Sequence, residues 1–187
     1  MISEEKSLEL AKILMNRKRK CNESNERIGF GSVIKSIVTE LNYINEYESA
    51  DVQITDCYRR KFISIKFVTK EIILENKNFG KFLVNMNFLI GLGKFSIVDP
   101  VTIQALNPQV CKINSLLTHP NIKNNALCIG DGKIPYQNAL KEFRFGDAAD
   151  IITSLLNTVS YDPYFKIENW DGYKCNNCGT QSISCLH

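Results

Sequence analysis

No run of eighteen apolar residues occurs in this chain of 187, so no stretch is long enough to cross a bilayer as a helix. A glycine-rich phosphate loop is also missing, which argues against ATP-driven activation by the chain itself. There is no internal repeat and no low-complexity segment. Histidine is scarce: of two residues, one is the last in the chain. A Cys-His hydrolase would therefore rest on His119 alone. The first residues, Met1-Ile2-Ser3-Glu4-Glu5, are acidic where a secretory leader is basic, so a cytoplasmic protein without membrane association is expected. Net charge is only +3, and the basic residues are dispersed apart from Arg17-Lys18-Arg19-Lys20. That run suits the solvated end of a helix, and no nucleic-acid partner is expected.

Cysteine is not scarce. Seven are present, an odd number, and Cys21, Cys57, Cys111 and Cys128 have no disulfide-like spacing. In a reducing compartment such residues read as core, metal ligands or nucleophiles. A hydrophobic content of 44% in this length supports one core-bearing domain with some additions.

Residues 3–20 predict a helix with Ser3, Glu4 and Glu5 at its start. Val33, Ile34, Ile37, Val38, Leu41 and Ile44 recur at helical steps and predict a second helix over 31–47. The middle of the chain is strand-like. Val52 and Ile54, then Ile63, Ile65 and Phe67, then Phe82, Val84, Met86 and Phe88 alternate with polar or outward residues, and Val101 to Leu106 forms a fourth run. No long helical crossover separates these strands, which predicts an antiparallel meander. Ala148, Ile151, Ile152, Leu155, Leu156 and Val159 predict a helix over 146–160, stopped by Asp162-Pro163. The expected class is α+β: a four-stranded antiparallel meander flanked by helices, with an extra N-terminal helix (1–24), a central domain (25–165) and a cysteine-rich tail (166–187).

Between the fourth strand and the last helix lies Thr118-His119-Pro120-Asn121-Ile122, six residues ahead of Leu127-Cys128. The order helix, four-strand meander, His-Pro-Asn turn, cysteine, helix resembles the ubiquitin-conjugating enzyme family over residues 31–165. The segment Phe79-Gly80-Lys81-Phe82 to Phe88 is similar to the family's third strand. His119-Pro120-Asn121 matches its most recognisable turn, and Cys128 stands where its active cysteine stands. Three departures mark a divergent member, of a kind expected from a bacterial ubiquitin-like conjugation system with a role in antiviral defence. The step from His119 to Cys128 is nine residues where ten is usual. Lys133, Ile134, Pro135 and Tyr136 occupy the region of a usual tryptophan. Residues 1–24 and 166–187 have no counterpart in the minimal fold.

The resemblance implies that Cys128 takes a ubiquitin-like protein from a separate activating enzyme as a thioester and passes it to an amine of a protein substrate. Gly130, Asp131 and Gly132 imply an exposed loop around that thiol. Asn121 is then the expected oxyanion donor, or simply a tie for the turn backbone. His119 is a candidate base by residue type, but the resemblance implies a structural histidine. Asp162 is placed to orient an incoming amine or to do no more than stop the helix. The alternative is an inactive scaffold of the same fold that binds a ubiquitin-like protein or a conjugation partner. In the tail, Cys175, Cys178, Cys185 and His187 form Cys-x-x-Cys followed by Cys-x-His, a donor set for one structural zinc, with a redox pair Cys175/Cys178 or an incomplete site as the alternatives. The aromatic residues over 161–173 read as packing.

Overall fold

The computed structural model describes residues 1–21, 30–91, 94–108, 111, 117–159 and 166–170. Helices α1 (Glu4–Cys21) and α2 (Phe30–Ile44) lead into β1 (Glu48–Cys57), β2 (Arg60–Val68), β3 (Ile72–Leu74), β4 (Lys77–Gly80), β5 (Phe82–Gly91) and β6 (Lys94–Ala105). Two short strands follow, β7 (Ile122–Lys123) and β8 (Ala126–Leu127), then α3 (Lys133–Lys141) and α4 (Phe145–Leu156). The architecture is α+β with an antiparallel sheet of order β1-β2-β5-β6-β8-β7. Among the described residues no helix is long and apolar enough to cross a membrane.

The four main strands lie where the alternation places them. Ile63, Ile65 and Phe67 sit opposite Phe88, Met86 and Val84, and Val84 sits opposite Ile103. All of these are buried, so one face of the sheet is continuous with the core. The helices pack on that face, as the Phe145 ring of α4 stacked 5.8 Å from Phe88 of β5 records. The other face carries Ser64, Lys66, Asn85 and Asn87, which share a register.

The main sheet holds the four-strand meander β1-β2-β5-β6 and continues into β8 and β7. Between β2 and β5 the chain folds into a separate hairpin, β3–β4, joined by Glu75 and Asn76 at positive φ. No strand pattern in the sequence announces this hairpin, yet Ile72, Leu74 and Phe79 are buried, which makes the detour part of the core. A second unannounced element is α3, which occupies the region assigned only as Lys133 to Tyr136. Pro135 lies in its first turn, where the missing N–H removes no helical hydrogen bond.

Helix α1, expected as an extension, buries Leu10, Ala11 and Leu14 in the common core. Ser3 opens it by accepting the Lys6 N–H at 3.3 Å. The segment before it is also fixed: the Ile2 N–H donates to Asn45 Oδ1 at 2.6 Å, and Asn45 Nδ2 donates back to the Ile2 carbonyl at 3.1 Å. At the other end Trp170 is buried with its ring 5.5 Å from Phe79, in keeping with a packing role for that residue.

Candidate functional site

The His-Pro-Asn turn is buried, and its polar atoms decide its geometry. The Asn121 backbone N–H donates to His119 Nδ1 at 3.0 Å. A backbone amide only donates, so Nδ1 is the acceptor and Nε2 carries the ring proton. That proton is directed at the Leu156 carbonyl, 2.9 Å away. Both ring nitrogens are thereby occupied. The rings of Phe79 and Phe82 stand edge-on to the imidazole at 5.5 and 5.6 Å and exclude water. Burial pushes the His119 pKa down to about 4, against the opposing pull of the Leu156 carbonyl. His119 is a neutral structural group here, without a free nitrogen to act as a base.

Asn121 is as firmly held. Its Nδ2 donates to the Leu155 carbonyl at 3.1 Å and to the Thr158 carbonyl at 2.7 Å. An α-helix leaves its last carbonyls without intrahelical partners. At the end of α4 two of them, on Leu155 and Leu156, are satisfied by the turn, from 34 and 37 residues earlier in the chain. The His-Pro-Asn turn is thus a C-terminal cap for α4, supplied from a distance. Sequence reasoning had no signal for this pairing.

The turn runs directly into the β7–β8 hairpin. Its loop is Asn124-Asn125, with φ of 52° and 59°. Two successive residues at positive φ make the type I′ turn that suits a two-residue hairpin, and asparagine tolerates that region better than most residues. The hairpin docks on β6 through the Ile103 N–H to the Asn125 carbonyl, at 2.8 Å. Its open end is closed by the Cys128 N–H donating to the Asn121 carbonyl at 2.9 Å. Cys128 and Asn121 therefore face each other across the hairpin at the backbone, while the Asn121 carboxamide is directed at the end of α4.

Cys128 is partly exposed, whereas Cys111 is buried and Cys57 is exposed. Beyond Cys128 the chain makes a 3-10 turn, Gly130–Gly132, leading into α3. Gly130 and Asp131 are exposed. Gly132 lies against α4: a Cβ there would come within 3.1 Å of Leu155 Cδ1 and 3.6 Å of Ile151 Cγ2. The loop after the thiol is pinned to α4 at one end and open to solvent at the other.

Asp162, Cys175, Cys178, Cys185 and His187 lie outside the described residues. Among the described residues no cluster of His, Cys, Asp or Glu forms a metal-binding group. Comparison of the chain with family models, curated proteins and solved structures gives no match.

Proposed function

We propose that the chain is a ubiquitin-conjugating-like enzyme of UBC-like fold whose working group is the Cys128 thiolate. The observation that carries this reading is the placement of a partly exposed thiol at the open end of a rigid hairpin, with an exposed loop beside it. The sulfur attacks the carbonyl of an activated thioester, and the activating enzyme's sulfur leaves as thiolate. A substrate amine then attacks the new thioester, displaces the Cys128 thiolate and yields an amide and a proton. Asp162 is the proposed orienting group for that amine. Partners of the reaction are an activating enzyme, a ubiquitin-like protein and a protein substrate, in the cytoplasm.

The Asn121 carboxamide enters this scheme in a defined way. Both of its amide hydrogens are directed at carbonyls of the α4 terminus. Donation to an oxyanion over Cys128 requires one of these bonds to be released during transfer. The same observation favours a second reading, an inactive scaffold in which Asn121 only caps α4 and Cys128 only packs. The tail residues Cys175, Cys178, Cys185 and His187 suit a tetrahedral zinc shell of three thiolates and one imidazole, with a structural role apart from the acyl transfer.

The test is incubation with the cognate activating enzyme, ATP and ubiquitin-like protein. The expected product is an adduct that excess thiol or hydroxylamine removes, lost in Cys128→Ala and retained in Cys57→Ala. No adduct with authentic partners, or one that survives Cys128→Ala, overturns the enzymatic reading in favour of the scaffold.

A further inference from the structure

On a different side of α4 from the cysteine loop, a cleft of about 330 Å³ opens between α2, the β2–β3 connection and α4. Tyr43, Glu46, Tyr47, Lys70, Glu71 and Thr153 are among its lining residues. Tyr43 is 40% exposed, yet its ring is held on several sides. Its hydroxyl donates to Asp150, with Oδ1 and Oδ2 at 3.1 and 3.0 Å. Its edge rests on Gly146, where a Cβ would come within 2.7 Å of the Tyr43 Cδ1 atom. Glycine weakens a helix relative to alanine, so this position in the first turn of α4 trades helix propensity for space to seat the ring. The Gly146 N–H in turn donates to Glu40 Oε2 at 2.9 Å.

Tyr47 is fixed by independent contacts. Its ring lies 4.5 Å from Phe67, and its hydroxyl donates to the same Asp150 carboxylate at 2.8 Å. The two tyrosine rings meet at 77° with centroids 6.5 Å apart, forming a corner. One carboxylate holds both hydroxyls, and its charge reinforces the negative potential of the ring faces. Glu46 and Glu71 add two further negative charges to the walls against one positive charge on Lys70. A preorganised aromatic corner with surplus carboxylate favours a compact cation.

We propose that this cleft binds an alkylammonium group, set against the Tyr43 and Tyr47 rings with Glu46 and Glu71 beside it. The ammonium comes either from a lysine side chain of a partner or from a free small amine. The site is independent of the chemistry assigned to Cys128.

The test is titration of the full chain, carrying labelled tyrosine, with n-butylammonium chloride and with a short lysine-containing peptide. Ring resonances are followed by NMR. Saturable shifts of Tyr43 and Tyr47 are expected, with a Kd on the order of millimolar for the small amine. Tyr43→Leu is expected to weaken binding about tenfold. Glu46→Gln, at an exposed position, is expected to weaken it severalfold and does not depend on the ring being replaceable. A peptide that binds at least tenfold more tightly identifies a partner chain as the source, and equal affinities identify a free amine. Shifts reproduced by n-butanol or by sodium chloride at the same ionic strength, or undiminished in both variants, overturn the proposal.

Discussion

The His119 imidazole is neutral because it is buried between two phenylalanine rings and bonded at both nitrogens, and this has a measurable consequence for stability. Its folded pKa of about 4 lies below the ordinary 6.5 of an unfolded histidine. The unfolded chain therefore binds the extra proton between those values, and the native state does not. The stabilisation is complete above pH 6.5 and is lost as pH falls towards 4, at roughly 1.4 kcal/mol per pH unit, or about 3 kcal/mol in all. Urea unfolding across pH 4 to 7 is expected to show this slope, and His119→Gln is expected to flatten it. A slope unchanged by the substitution means that other groups carry it. Asn121→Ala removes two part-buried hydrogen bonds, those to the Leu155 and Thr158 carbonyls. Its expected cost is about 1–3 kcal/mol by equilibrium unfolding.

At the scale of elements, the β7–β8 hairpin is the device that sets Cys128 opposite Asn121. Its Asn124-Asn125 loop is tolerant of glycine and hostile to branched side chains, since both residues sit at positive φ. Asn125→Gly is expected to keep or raise the melting temperature, while Asn125→Val is expected to lower stability by about 1–2 kcal/mol. Equal melting temperatures for the two variants would contradict the turn geometry. The long strands and helices were legible because their patterns are strong: Phe82, Val84, Met86 and Phe88 alternate without a break, and α2 and α4 keep helical spacing. The β3–β4 hairpin was not, because three- and four-residue strands around Glu75-Asn76 carry too few residues to show a period. Helix α3 was hidden by Gly130, Gly132 and Pro135, which punctuate like a loop although they precede or open a helix. The thiol and its turn were legible as a local motif. The capping of α4 by His119 and Asn121 was not, because its partners are backbone carbonyls, which have no sequence signature.

At the scale of the whole molecule, the single core formed by the described residues is the governing fact. Side chains of α1, all the main strands, α3 and α4 belong to one buried cluster. Leu14 of α1 is fully buried in it, so Leu14→Ala is expected to cost about 2–5 kcal/mol. The loss belongs to one cooperative transition rather than to a separate melting of α1. Two resolved transitions in the wild-type chain would instead return α1 to the status of an appendage. The cap of α4 and the post-cysteine loop on Ile151 and Leu155 tie the candidate site to this core. The site is therefore expected to keep its shape up to global unfolding.

The sharpest test of the account uses no partner enzyme. The folded chain is mixed with a glycyl-glycine alkyl thioester, and acylation is mapped by mass spectrometry at each cysteine over time. Acylation that hydroxylamine or excess thiol reverses is predicted at Cys128 ahead of the more exposed Cys57. Cys57 reacting first, with Cys128 unmodified until the chain is unfolded, would contradict the assignment of Cys128 as the acyl carrier.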